Sequence, residues 1–205
     1  MPTIEYFYAA YSGYAYIGSR LFMDMAQAAG RRIDHRPFDL RVLLQSVGAH
    51  NGRSPRHRAY FSGREIERWA EHRGVDILAR PTHHDNDITL PNCVLIAGVR
   101  QGLDMDALAH RMLESHWRDD SDLADAATLA GLAREVGLDG EALLTAARTP
   151  EVLAAYEANT AEAMERSVFG SPTYFVDGDM FYGQDHLDLV ARACEAPFKG
   201  EWPRR

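Results

Sequence analysis

Apolar residues follow strand-like spacing at the start of the chain and then change to helical spacing. Residues 3–9 are rich in β-branched and aromatic types, which predicts a buried strand. From Ser19 the apolar positions recur at helical intervals until Gly30, a typical helix stop. Residues 32–38 predict a second strand, closed by Pro37. The order strand, helix, strand is typical of a parallel βαβ unit.

The middle of the chain has helical periodicity, and no strand is predicted between about residues 92 and 166. Successive apolar faces there predict a series of helices. The last of them follows Thr149, a residue type that caps helices, with Pro150 at the first helical position. The chain between the two β-rich parts is therefore predicted to be entirely helical.

Two polar segments precede this helical block. Residues 45–62 contain glycine and several basic residues and predict a loop. Loops of that length in compact domains are usually functional or mobile. A short helix around Trp69 is predicted next, and residues 80–92 predict another loop.

The end of the chain returns to strand patterns. Residues 172–176 and 179–182 predict a hairpin whose turn is Asp177-Gly178, and a last helix follows. Together with the first part, these elements have the order of a thioredoxin fold. We therefore predict an α/β, thioredoxin-like fold with an all-helical insertion. The predicted domains are a thioredoxin-like domain of residues 1–80 and 166–205, and a helical insertion of residues 81–165.

Composition narrows the functional classes. The 205 residues include 22 basic and 30 acidic side chains, a formal net charge of −8, with no basic stripe that would bind nucleic acid. No apolar run is long enough to span a membrane, and the N-terminus is a poor match to a signal peptide. The two cysteines, Cys93 and Cys194, form no CxxC pair, which excludes a dithiol site and favours a cytoplasmic location.

Ser12 is the first candidate for chemistry. It follows the first strand at the predicted start of a helix, where backbone N–H groups and the helix dipole favour negative charge. Thioredoxin-type enzymes have a low-pKa cysteine at this place. A serine without a base is a weak nucleophile, but its hydroxyl can donate to a thiolate supplied by another molecule. The alternative is a plain N-cap.

Two further motifs lie near the chain's end. Pro172 opens a strand, where it cannot donate to the ladder, and the sequence leaves open whether the Ser171–Pro172 bond is cis. Exposed backbone groups of Ser171 could pair with an extended peptide, or the proline could simply mark an edge strand. Gln184 and Asp185 precede the last helix, where they could cap it or bind an amino-acid head group.

Histidines and tyrosines are further candidate side chains. Neighbouring histidines at positions 83 and 84 point apart on a regular element, so we predict no metal site. His110 and Glu114 are one helical turn apart and predict a surface pair. Aromatic side chains around Ser12 are expected to fill the core and, in part, to line a pocket mouth: Tyr8, Tyr11, Tyr14 and Tyr16.

Taken together, these motifs resemble those of the 2-hydroxychromene-2-carboxylate isomerases, which belong with the kappa-class glutathione transferases and the wider DsbA-like group. The resemblance is carried by the break at Ser12 and by residues 168–185, VFGSPTYFVDGDMFYGQD. Residues 65–70 and 117–123 resemble other parts of that family. The likeness extends over nearly the whole chain.

This resemblance implies a homodimer that binds glutathione, with the thiol beside Ser12. Ser171, before a cis-proline at Pro172, would pair with the cysteine of glutathione through its backbone. Gln184 and Asp185 would hold the γ-glutamyl end. The remaining glutathione positions would be Tyr182, Gly183, Asn51 and, less specifically, one of Arg53, Arg56 and His57; a small aromatic substrate would contact Tyr14 and Asn92.

Three functions remain open at this point. The first is a glutathione-dependent isomerase of 2-hydroxychromene-2-carboxylate or a related aromatic compound, in which the thiolate adds reversibly and glutathione is not consumed. The second is a kappa-like glutathione transferase that leaves glutathione attached to an electrophile. The third is a non-enzymatic module that binds thiol peptides. The chain departs from the family at Gly13, Ser167, Ser171 and Tyr182, which leaves the substrate open.

Overall fold

The structure, a computed structural model, describes residues 1–48 and 54–200, apart from the side chains of residues 57, 58, 61 and 62. A four-stranded sheet joins the two ends of the chain in the order β2-β1-β3-β4. Strands β1 and β2 are parallel, whereas β3 pairs antiparallel with both β1 and β4. The strands are β1 Thr3–Tyr8, β2 Arg32–Pro37, β3 Thr173–Val176 and β4 Asp179–Tyr182.

Helices make up most of the described chain outside the sheet. Those outside the middle block are α1 Gly13–Ala28, α2 Leu40–Ser46, α3 Pro55–Arg58 with a π-helical turn Ala59–Gly63, α4 Arg64–Arg73, a 3₁₀ turn Gln184–His186 and α10 Leu187–Glu195. The middle block contains α5 Thr89–Arg100, α6 Asp106–Trp117, α7 Ala126–Glu135, α8 Gly140–Ala147 and α9 Pro150–Glu165. The predicted thioredoxin-like fold with a helical insertion is confirmed.

Some predicted boundaries were wrong. Helix α1 begins at Gly13, directly after its N-cap Ser12 as predicted, although the apolar periodicity is recognisable only from Ser19. The predicted loop 45–62 is partly helical: α2 extends to Ser46, and residues 55–63 form helical turns. The Asn51 and Arg53 positions lie outside the described residues, as does the side chain of His57, while Arg56 is exposed.

The start of the middle block also differs from the prediction. Helix α5 begins within the predicted loop 80–92, at Thr89, whose N–H and hydroxyl donate to Asp87 Oδ1. Helix α9 begins where predicted, but Thr149 does not cap it with its side chain. The Thr149 hydroxyl donates instead to the carbonyl oxygen of Ala146, at the end of the preceding helix.

Both faces of the sheet are covered. On one face, the stacked rings of Tyr8, Tyr6 and Tyr174 pack in the same cluster as Leu95 and Leu108 of the middle helices. Burying one such ring stabilises the fold by roughly 2–3 kcal/mol, which is partly offset at Tyr6 and Tyr174 because their buried hydroxyls have no hydrogen-bond partner among the described residues. A smaller cluster on the other face contains Phe7, Phe38, Leu43, Ala163 and Phe175. None of the helices in the described part is both long and apolar enough to cross a membrane.

Candidate functional site

Ser12 lies between the end of β1 and the first turn of α1. Its Oγ accepts the N–H of Ala15 at 3.3 Å, as an N-cap does, and donates to the carbonyl oxygen of Ser171 at 3.2 Å. The residue is only 6% exposed. Ser12 can therefore be both the N-cap of α1 and a residue of the candidate site, because the same hydroxyl accepts at the helix start and donates to the residue before Pro172.

Hydrogen bonds from distant side chains fix the backbone just before Ser12. The N–H of Ala9 donates to Ser171 Oγ at 3.1 Å, and the N–H of Ala10 donates to Asn92 Oδ1 at 3.0 Å. Both contacts are buried, so their loss would leave an unsatisfied amide in the interior. The hydroxyl of Ser171, which the sequence comparison treated as a departure, thus supports this loop.

Trp117 holds the same loop from the insertion. Its Nε1–H donates to the carbonyl oxygen of Tyr11 at 2.8 Å. Its ring also lies against Gly13, where an added Cβ would come within 2.8 Å of the indole. Sequence analysis missed this role, because nothing local to Trp117 indicates contact with a loop more than 100 positions earlier.

Asn92, predicted to contact substrate, has no exposed surface. Its Oδ1 accepts from Ala10, while its Nδ2 donates to the carbonyl oxygen of Ile88 at 3.0 Å and to the hydroxyl of Tyr156 at 3.3 Å. Both N–H groups of its amide and one lone pair of its oxygen are thus used within the protein. The structure therefore places it beneath the Ser12 loop, as a support.

The Ser171–Pro172 bond is cis, which places Ser171 alongside Ser12. The carbonyl oxygen of Pro172 accepts the N–H of Gly183 at 2.9 Å. Gly183 has a φ of +94°, a conformation that L side chains rarely adopt. The hairpin turn at Asp177 and Gly178 also has positive φ at both positions, as predicted.

Gln184 is 1% exposed and packs over Gly18 of α1. Its Oε1 accepts from Arg73 Nε at 3.3 Å, and its backbone carbonyl accepts from Arg73 Nη2 at 3.2 Å. Its Nε2 has no hydrogen-bond partner among the described residues. A buried amide donor without a partner is unusual in a folded protein and fits a ligand acceptor.

An aromatic group stands beside this turn. Tyr182 is partly exposed, and its ring packs against Phe169 at 4.4 Å in the space that a side chain at Gly170 would fill. Burial is the main cause that raises the pKa of Tyr14 to about 12. Smaller contributions come from the nearby Tyr182, Glu65 and Asp185. Tyr14 is therefore a neutral phenol at physiological pH. The carboxylate of Asp185 is about half exposed.

Several histidines make contacts that the sequence did not predict. His84 Nδ1 and His116 Nε2, from separate segments, lie 3.0 Å apart, and His84 packs against the Tyr11 ring at 5.1 Å. No group of three or more potential metal ligands occurs in residues 1–48 and 54–200. The expected pair of His110 and Glu114 is present, with Nε2 and Oε1 4.0 Å apart, but both side chains are mostly buried and His110 Nδ1 also lies 2.7 Å from Ser19 Oγ.

The chain's own thiols are buried at Cys93 and half-buried at Cys194. Cys93 follows Asn92 in α5, and burial raises the pKa of its thiol to about 11. Burial also raises the pKa of Cys194, which lies in α10. Neither cysteine is a source of thiolate at neutral pH.

Comparison with known proteins agrees with this geometry. The model of the DSBA-like thioredoxin domain family matches residues 3–195. Two relatives are named 2-hydroxychromene-2-carboxylate isomerase. The protein from Sphingobium xenophagum is 28% identical over 92% of this chain and 95% of its own length. The protein from Pseudomonas putida is 22% identical over 93% of each.

Solved structures share the fold. A 2-hydroxychromene-2-carboxylate isomerase superimposes with a TM-score of 0.76 at 20% identity, covering 94% of each chain. The cytosolic disulfide reductase DsbM from Pseudomonas aeruginosa, solved with GSH, gives 0.63 at 18% identity over 95% of this chain and 93% of its own. The predicted resemblance is thus confirmed, and the chain belongs to the family of DSBA-like thioredoxin domains.

Proposed function

We propose that this protein is a glutathione-dependent cis-trans isomerase of 2-hydroxychromene-2-carboxylate or a related aromatic acid. The observation that carries the proposal is the buried Ser12 hydroxyl at the start of α1, bonded to Ser171 where the fold's redox relatives use a cysteine. The relatives named as isomerases, 22–28% identical to this chain, support the same activity.

The residues present fit glutathione, which DsbM was solved with. Gln184 offers a buried amide donor that lacks a partner, and Arg73 beside it pairs with no carboxylate among the described residues. Asp185 supplies a carboxylate for an ammonium group. Ser12 supplies a hydroxyl at a helix N-terminus for a thiolate.

When bound, glutathione supplies a thiolate that adds to a conjugated carbon of the substrate and later leaves, which allows rotation about the former double bond. The Ser12 hydroxyl would turn its one O–H from the Ser171 carbonyl to the anionic sulfur, and the N-terminus of α1 would add a favourable dipole. The Ser171 carbonyl has a second lone pair free to accept from a backbone N–H of the ligand. Tyr14 remains a neutral phenol able to donate to a substrate oxygen.

The test is an isomerase assay with purified protein and 2-hydroxychromene-2-carboxylate, with and without reduced glutathione. We expect conversion to the trans-hydroxybenzylidenepyruvate only with glutathione, and an unchanged concentration of free thiol after many turnovers. Loss of one thiol per product would instead identify a kappa-like transferase. Full activity without any added thiol would sink the proposal.

A cysteine-free variant is the matched control. Cys93→Ala with Cys194→Ala removes both of the chain's own thiols, neither of which lies at Ser12. Activity that still requires glutathione in this variant would assign the thiolate to the bound molecule. Binding of extended peptides with no turnover would favour a thiol-peptide binding module.

A further inference from the structure

Two half-buried arginines in the described chain have no carboxylate partner. Four of the six half-buried arginines have a carboxylate oxygen within 4.0 Å, namely Arg31, Arg36, Arg111 and Arg166. The exceptions within residues 1–48 and 54–200 are Arg41 and Arg73. A guanidinium that is partly desolvated without an anionic partner is costly, so such a group suggests an anion supplied from outside.

Arg41 lies in the first turn of α2 with its guanidinium beside Tyr11, the residue before Ser12. Its Cζ is 5.4 Å from the centre of the Tyr11 ring. Its Nη2 donates to the carbonyl oxygens of His84 at 3.2 Å and Asn86 at 2.8 Å. A guanidinium has five N–H groups, so these two bonds and a contact with the Tyr11 hydroxyl fix its orientation and still leave N–H groups for a ligand.

Two acidic residues near Arg41 already accept hydrogen bonds at helix starts. The Asp39 carboxylate accepts the N–H groups of Arg41 and Val42 at the start of α2. The Asp87 carboxylate accepts the N–H and hydroxyl of Thr89. These hydrogen bonds are the main cause that lowers the pKa of Asp87, and the charge on Arg41 is a smaller one. Neither carboxylate lies within 4.0 Å of the guanidinium, so its charge is available to a ligand.

We propose that Arg41 binds the carboxylate of the acidic aromatic substrate and so selects acids over neutral aromatics. This inference rests on the proposed function. The carboxylates of glutathione are the other possible source of the same chemistry. Arg73 beside Gln184 stands at the end predicted for glutathione, whereas Arg41 stands against the buried Tyr11, next to Ser12, where an acceptor would meet the thiolate.

The experiment measures binding without turnover. Wild-type protein saturated with S-methylglutathione, which has no free thiol, is titrated calorimetrically with trans-2-hydroxycinnamate and with its methyl ester. We expect Arg41→Gln to weaken binding of the acid by about 10-fold or more, the effect of losing a charged hydrogen bond, and to leave the ester unchanged. Arg41→Lys, which keeps the charge but loses the planar fork, should lie between.

The matched control is Arg20→Gln, which removes the same charge from an exposed position on α1 and should leave both affinities unchanged. Equal weakening of acid and ester by Arg41→Gln would overturn the assignment, as would a loss confined to S-methylglutathione. If the wild type prefers the acid through Arg41 but shows no isomerase activity, the proposed function fails while the Arg41 assignment stands.

Discussion

The Ser12 hydroxyl is where the smallest change should have the largest effect on activity. Ser12→Ala removes the hydroxyl that donates to Ser171 and would donate instead to a bound thiolate, together with the cap on α1. We expect kcat to fall by about 10- to 100-fold, equivalent to about 1.5–3 kcal/mol, with a smaller change in glutathione affinity. Steady-state kinetics and calorimetry on the same preparation separate the two effects.

A second serine provides the comparison for Ser12. Ser46 also donates its hydroxyl to a backbone carbonyl, that of Leu43, but lies at the end of α2. Ser46→Ala should leave kcat unchanged. Equal activity of Ser12→Ala and wild type would show that Ser12 serves only as a cap.

Sequence analysis found the residues whose role depends on local context and missed those whose role depends on distant contacts. Ser12 and Pro172 stand at recognisable junctions between elements, so their positions could be predicted. Trp117 and Arg41 occupy ordinary helical positions, and only the packed chain brings them to Tyr11. Asn92 was found by resemblance, but the structure uses its side chain to hold the Ala10 amide.

At the scale of elements, the contact between α1 and the turn before α10 depends on a missing side chain. A Cβ at Gly18 would lie 2.5 Å from Cβ of Gln184. Gly18→Ala should therefore displace Gln184, weaken glutathione binding several-fold and cost about 1–3 kcal/mol of stability. Calorimetry and urea unfolding of the variant would measure these changes.

The control for that substitution is a glycine with open space. The nearest atom to a Cβ at Gly131, in α7, is the flexible end of Arg134 at 4.0 Å. Gly131→Ala should raise the free energy of unfolding by about 0.5–1 kcal/mol and leave glutathione binding unchanged. Weakened binding in both variants would disprove a specific effect at Gln184.

Element types were more predictable than element boundaries. Strand composition and helical periodicity identified the order of β1, α1, β2 and of the hairpin, because those segments bury regular faces. The helical turns at residues 55–63 were missed because they expose much of their surface and have no apolar periodicity. The start of α5 was hidden because an acidic side chain, Asp87, stabilises it within a polar segment.

For the whole molecule, the buried histidines predict how stability depends on pH. Burial, with the neighbouring His116, lowers the pKa of His84 to about 4 in the folded state. Burial also lowers the pKa values of His110 and His116. Above pH 6.5 these groups are neutral in both states. Below it the unfolded chain takes up protons first, so the free energy of unfolding should decrease from about pH 6.5 to about pH 4.

Urea unfolding between pH 7.5 and 4.5 measures this decrease. We expect His84→Gln to make this decrease in the free energy of unfolding smaller by on the order of 1 kcal/mol. Over most of this pH range His84 takes up a proton in the unfolded chain but not in the folded protein, and the variant lacks that uptake. His72→Gln, at an exposed position in α4, should leave the decrease unchanged. The carboxylates whose pKa values are lowered by arginines, such as Glu5 and Asp177, contribute below this window. A pH-independent stability in this range would contradict the prediction.

The thioredoxin-like arrangement of the whole chain was predictable because the two β-rich ends surround an unbroken helical block. The core was less predictable than the topology. Rings from the sheet and side chains from the insertion share one apolar cluster, which no periodicity within a single segment indicates. The domain boundaries, a homodimer and a cytoplasmic location remain predictions.

The hydrogen bonds around Ser12 also bear on how the protein is made. Ser171 joins Ala9 and Ser12 across 162 and 159 positions, and Asn92 joins Ala10 across 82. During synthesis the first strand and α1 leave the ribosome long before these partners exist. The loop therefore completes its hydrogen bonds only when the last strands are added. A fragment that ends before residue 171 would lack a formed site even if its helices had already packed.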